Sequence, residues 1–172
     1  MNAGPDPERH RAMNTSTTFH PDKIDRRLLE LLQRDCNAPL ADIAEQVNLS
    51  VTPCWRRIQR LEKEGYIKRR VALLDAEKLN VGVTVFVLLK TNRHSVEWYS
   101  SLQTAISLIP EVVEFYRLSG SIDYLLRIVV PDIKHYDQIY QKLIRNHELL
   151  DVCAGFSMEQ IKSTTMLPMD YL

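Results

Sequence analysis

The spacing of hydrophobic positions changes once along the chain, near residue 75, and the change separates two kinds of structure. Before it, apolar residues recur at three and four. Ile24, Leu28, Leu29, Leu31 and Leu32 predict a helix that Asp22 can cap and that Asn37 and Pro39 close. A short second helix begins near Leu40, with Ile43, Ala44 and Val47 on one face. Asn48-Leu49-Ser50 reads as a tight turn, because Asn tolerates a left-handed backbone better than most residues. A third helix runs from Val51 or Thr52 to about Glu64, with Ser50 or Thr52 as its cap. Pro53 fits only in its first turn, Gly65 stops it, and Val51, Cys54, Ile58 and Leu61 form its inner seam. Tyr66 to Leu74 alternates imperfectly and predicts a strand or short hairpin, a candidate wing.

After residue 75 the pattern turns β-branched. Val83 to Thr91 predicts a strand buried on much of both faces. Ser95 to Ile109 predicts a helix, Val112 to Leu118 a strand, Tyr124 to Val130 another strand ended by Pro131. Asp132 caps a further helix through Tyr136, Ile139, Tyr140, Leu143 and Ile144, and Val152 to about Ser163 is the last strand. The order βαββαβ is the split βαβ, ferredoxin-like unit. The fold class expected is α+β: an N-terminal winged helix-turn-helix over 22–75, a linker over 76–81, and a ferredoxin-like domain over 82–168. Residues 1–21, with three prolines and a Thr/Ser run, read as a disordered tail, within which Met13 is an alternative start.

Charge sharpens this division. The 172 residues carry 22 basic and 22 acidic side chains. Neutrality excludes a uniformly basic nucleic-acid binder, yet residues 20–74 are net +3 and residues 75–172 net −3. Within 50–70, Arg56, Arg57, Arg60, Lys63, Lys68, Arg69 and Arg70 face only Glu62 and Glu64. Two helices joined by three residues, the second of them basic, are the pattern of a helix-turn-helix whose second helix enters the major groove of double-stranded DNA. Ser50, Thr52 and Pro53 stand at its N-terminus. Arg56, Arg57 and Arg60 can reach bases or phosphates, and Lys68 and Arg69 can hold the flanking backbone. On charge alone, a solvated basic face on an ordinary three-helix module reads the same way.

Other chemistry is sparse. Three cysteines at wide spacing give neither a disulfide framework nor zinc-ligand spacing, and the five histidines fall in no catalytic motif. Cys54 reads as a packing residue of the seam rather than a redox switch. Five glycines build no phosphate loop. No metal and no resident cofactor are expected. The longest apolar stretch, Val81 to Leu89, is less than half a membrane span, and the N-terminus has no apolar core, so a soluble, cytoplasmic chain is expected. Ser119-Gly-Ser-Ile-Asp-Tyr124 combines a glycine with one carboxylate at a strand start, which suits a small ammonium-bearing ligand, although Gly-x-x-Asp is also an ordinary turn.

The segments Asp22-Lys-Ile-Asp-Arg-Arg-Leu-Leu, Leu49-Ser-Val-Thr-Pro-Cys-Trp-Arg-Arg-Ile-Gln-Arg-Leu-Glu-Lys-Glu-Gly65, Val71-Ala-Leu-Leu-Asp75, Ser119 to Tyr124, and Met158-Glu-Gln-Ile-Lys-Ser-Thr-Thr165 occur in this order. Together they make the chain resemble the Lrp/AsnC (feast/famine) transcription regulators over residues 22–168. The resemblance implies a DNA-binding regulator, not an enzyme. It also implies homodimers, often assembled into octamers, that bind a free amino acid or related small metabolite between dimers. By position, the effector site would comprise Leu118, Gly120, Asp123 and Tyr124, with Ile133 and the strand Gly155, Phe156 and Ser157. Two rival readings stay open at the level of sequence. A few haem-pathway decarboxylases resemble the same two-domain fold, and stand-alone sensing domains exist without a DNA reader.

Overall fold

A computed structural model describes residues 19–145 and 148–172. The expected tail and the alternative start at Met13 lie outside these residues up to position 18. The chain forms two compact units, one comprising residues up to 71 together with 164–172, the other residues 72–163.

The first unit holds α1 (Lys23–Arg34), α2 (Leu40–Gln46) and α3 (Val51–Lys63). Asp22 caps α1 reciprocally: its Oδ1 accepts from the backbone N–H groups of Ile24 and Asp25 at 2.9 Å, while Asp25 Oδ2 accepts from Asp22 N–H at 3.2 Å. Leu28, Leu29, Leu31 and Leu32 of α1, Ile43 and Ala44 of α2, and Cys54, Ile58 and Leu61 of α3 close one core. The turn between α2 and α3 depends on Asn48 at φ 53°, and Gly65 at φ 79° ends the helical path after α3. Three expectations are corrected here. Val51 is 47% exposed, so the inner seam of α3 starts at Cys54. Ser50 occupies the N-cap, but its side chain makes no capping bond. Residues 66–74 form no strand: Tyr66 and Ile67 turn back onto Leu61 O, and from Lys68 onward the backbone is exposed with no partner ladder among the described residues.

Both ends of the first unit are better fastened than the sequence indicated. Phe19, placed in the tail, packs edge-on against Tyr66 with ring centroids 5.7 Å apart. The C-terminal residues, assigned up to 168 to the ferredoxin-like domain, pack with the helices instead. Met169 and Leu172 join the three-helix core, and the Gln33 amide accepts from Leu167 N–H at 2.6 Å and donates to Leu167 O at 3.3 Å.

In the second unit, β1 (Val83–Lys90), α4 (Val96–Ser107), β2 (Val112–Arg117), β3 (Tyr124–Val130), α5 (Ile133–Arg145) and β4 (Asp151–Phe156) follow one another. The sheet order is β2-β3-β1-β4, antiparallel throughout, which is the ferredoxin-like topology. Ser95 caps α4 by accepting from Trp98 N–H, and Asp132 accepts from His135 N–H in the first turn of α5. Both helices cover one face of the sheet. Val85, Val87, Leu89, Leu126, Ile128 and Val130 are fully buried beneath Leu102, Ile106, Tyr136, Ile139 and Leu143. The opposite face is left open, with Phe86 40% and Tyr116 49% exposed, so β1 is covered on one face only. The last strand ends at Phe156 rather than near Ser163. Phe156 already stands opposite Val85, and after the bond from Ser157 N–H to Thr84 O, β1 offers no further rungs.

Candidate DNA-reading helix and effector turn

The inner seam of α3 at Cys54, Ile58 and Leu61 fixes which residues face outward. Thr52, Arg56, Gln59 and Lys63, spaced by four, three and four, form the opposite stripe, and all four are exposed. Gln59 and Lys63 were not among the expected contacts; the same periodicity, counted from the outer side, marks them. Ser50 and Pro53 are exposed at the N-terminal end of the helix, and Lys68 and Arg69 are exposed beyond its C-terminal end. Trp55, 51% exposed, flanks the stripe. Cys54 is fully buried, and burial pushes its thiol up, away from the reactive thiolate; it is a packing residue.

The three arginines expected on DNA do not share one environment. Arg56 points outward. Arg57 Nη1 lies 2.8 Å from Asp25 Oδ1 and 2.7 Å from Asp22 Oδ2, and Arg60 Nη2 lies 3.0 Å from Asp25 Oδ2. The Arg60 guanidinium also sits 4.2 Å above the Phe19 ring. Asp25 itself is fully buried. Its hydrogen bond, then that of Asp22, holds Arg57 more firmly protonated than an ordinary arginine. Desolvation pushes the Asp22 carboxyl up, but the Asp25 N–H and the Arg57 guanidinium outweigh it and hold Asp22 below its ordinary value. Arg57 and Arg60 are thus tied to the carboxylates at the start of α1, Arg57 partly buried at 27% exposure and Arg60 still 45% exposed.

In the second unit the turn before β3 is built around Asp123. Its N–H donates to Leu89 O, its carbonyl accepts from Leu118 N–H at 2.8 Å, and its Oδ2 accepts from Thr91 N–H at 2.8 Å. Gly120 adopts φ 139°, a conformation a side chain would strain. Leu118, Gly120, Asp123 and Tyr124 therefore stand together at one end of the sheet. Gly155, Phe156 and Ser157 stand three to five rungs away on β4, and Ile133 follows the far end of β3, about 20 Å from Tyr124 along the strand. The eight residues carried over by resemblance do not line one pocket within a single chain. Tyr124 is buried on the helix side, 6.2 Å from the Tyr99 ring and 5.5 Å from Phe115, and Phe156 packs edge-on against Tyr136. Strand alternation puts Tyr124 on the face of Leu126 and Ile128, so it is a core residue.

A helix-turn-helix unit followed by an antiparallel ferredoxin-like unit defines a one-chain regulator of transcription with its own sensing domain. The comparisons agree. Residues 21–68 match the winged helix-turn-helix DNA-binding model and residues 84–167 the Lrp/AsnC ligand binding domain model. The DNA-binding transcriptional activator DecR of Escherichia coli strain K12 is 51% identical over 150 residues, covering 87% of this chain and 99% of its own. An AsnC family transcriptional regulator from Agrobacterium tumefaciens superposes with a TM-score of 0.84 at 55% identity, over 88% of this chain and 99% of that one. A transcriptional regulator of Neisseria meningitidis, solved as its L-Met complex, superposes with a TM-score of 0.82 at 29% identity, over 88% and 99% of the two chains. The chain belongs to the Lrp/AsnC family. This family consists of transcriptional regulators rather than enzymes, so the decarboxylase reading falls, and the matched DNA-binding domain disposes of the stand-alone sensor.

Proposed function

We propose that this regulator reads double-stranded DNA with the outward stripe of α3, as a dimer or larger even assembly in the cytoplasm, and that a free amino acid or related metabolite bound at the 118–123 turn changes that binding. The observation that carries the reading is the sorting of the α3 side chains. The seam is buried, Arg57 and Arg60 are tied to the carboxylates at the start of α1, and Thr52, Arg56, Gln59 and Lys63 are left on one exposed face. Ser50 and Pro53 enter the groove first, and Lys68 and Arg69 hold phosphates at the flank.

The effector half rests on Asp123. Thr91 N–H occupies Oδ2, which leaves Oδ1 for a ligand ammonium, while the Gly120 backbone permits close approach. Ile133 and Gly155 to Ser157 lie too far away in the same chain, so they belong to the pocket only if another copy supplies them. The uncovered sheet face, with Phe86 and Tyr116, supports assembly through the sheets. An L-Met complex exists for the Neisseria relative, which supports an amino acid as the ligand class here. The test is a thermal-shift screen of the full chain against the twenty amino acids, followed by DNA affinity with and without any hit. Light scattering gives the assembly state in parallel. No stabilising amino acid would sink the effector half, and a monomer at micromolar concentration would sink the shared pocket.

A further inference from the structure

Arg56 and Arg57 are adjacent in sequence, yet one faces outward and the other is held by two carboxylates. We propose that Asp25, with Asp22, is a positioning clamp that sets the rotation of α3 through Arg57 and Arg60 and withholds these two cations from DNA. The inference rests on α3 being the reading helix.

The seam of α3 sets this rotation only coarsely. Cys54, Ile58 and Leu61 are apolar, and apolar contact is non-directional. A rotation well short of the ~100° between successive residues would already re-aim Arg56 and Arg57. The ion pairs are directional. Asp22 and Asp25 lie one turn apart on α1, Arg57 and Arg60 one turn apart on α3, and the two pairs interlock through three contacts of 2.7–3.0 Å. Phe19 stacks under Arg60, and Tyr66, whose hydroxyl donates to Phe19 O at 3.3 Å, holds Phe19 in turn. Asp25 is 0% exposed, so a misrotated α3 would leave its carboxylate buried without a cation, with only the Asp22 N–H as partner, a costly state.

The clamp is also neutral: two cations meet two anions. Cationic side chains on phosphates strengthen binding to every sequence and steepen its salt dependence, without adding discrimination. Cancelling Arg57 and Arg60 leaves the stripe of Thr52, Arg56, Gln59 and Lys63 to meet the groove. The clamp therefore raises the ratio of specific to non-specific binding.

The experiment uses the full chain, a duplex enriched by the wild type from random sequence, and a random duplex, each titrated across a salt series. Arg57→Gln is expected to lower affinity for the enriched duplex about tenfold and to leave the salt slope on both duplexes unchanged. Asp25→Asn releases one uncompensated cation, so affinity for the random duplex rises, its salt slope steepens, and affinity for the enriched duplex falls. A merely structural role would lower both affinities in parallel. A salt slope in Arg57→Gln shallower by about 0.9 per reading helix would place Arg57 on a phosphate and overturn the clamp. Wild-type affinity for the enriched duplex in both variants would overturn it equally. Where Asp25→Asn does not fold, the slope of Arg57→Gln decides by itself. Arg56→Ala separates the two levels. If it too leaves affinity and slope intact, α3 is not the reader and both readings fall; if it alone weakens binding, only the clamp falls.

Discussion

The three-helix unit seats a charged carboxylate, Asp25, under the helix that carries its function, whereas the sheet unit fills the space beneath its helices with Val, Leu, Ile and Tyr and places its candidate chemistry in a turn at the sheet's end. In the first unit fold and function therefore share residues, since Arg57 and Arg60 belong to the reading helix and also fasten it. In the second they are separable: the core strands hold the turn through backbone bonds from Leu89 and Thr91, and only Asp123 contributes a charge. The lesson is that a substitution at Arg57 or Arg60 moves stability and DNA binding together, while substitutions in the sheet unit can move one without the other.

The largest expected effect tests the dry core. Leu126 is fully buried at the centre of β3, and Leu126→Ala should destabilise the sheet unit by about 2–5 kcal/mol, read by urea denaturation. A loss below about 1 kcal/mol would mean that the core can collapse around the cavity, contrary to close packing.

Asp123→Asn comes next. Asparagine keeps an oxygen for Thr91 N–H and removes the charge. At an effector concentration a hundred times its Kd, the wild type should gain about 2.7 kcal/mol of stability, and the variant should gain none. An undiminished thermal shift in the variant would place the ammonium elsewhere.

Arg56→Ala should weaken binding to an enriched duplex by about 1–3 kcal/mol if Arg56 reads a base, with little change in thermal stability because the side chain is exposed. An equal loss on every sequence, with a shallower salt slope, would assign it to a phosphate instead.

Asp22 offers the smallest effect. Asp22→Ala removes the N-cap of α1 and should cost about 1 kcal/mol. Because Asp22 is held below its ordinary value of 3.8, its contribution is present above that pH and is lost as pH falls through the lower folded value. Wild-type stability should therefore fall as the pH drops below about 4, and the variant should lose this part of the pH dependence.

Several elements were legible from spacing alone. The apolar rows at three and four gave α1, α2 and α3, the cap at Asp22 and the stop at Gly65 are local chemistry, and alternation with β-branched residues gave β1 and β3. These features depend on neighbours within a few residues, so the chain states them directly. The basic character of residues 50–70 was equally plain, because charge is a count.

What the sequence determined by itself was the order of elements, their caps and turns, and the βαββαβ topology that its order implies. Tertiary structure decided which of three equivalent arginines are tied to carboxylates, since that depends on two acidic residues thirty-odd positions earlier in the chain. It decided that residues 66–74 remain unpaired and that β4 stops at Phe156, because a strand exists only where a partner supplies rungs. It returned residues 164–172 to the helices, through Gln33 and two C-terminal hydrophobes that no periodicity marks. It also separated the effector candidates along the sheet. Proximity in space is set by register between strands, and register is a property of the assembled sheet rather than of any one segment.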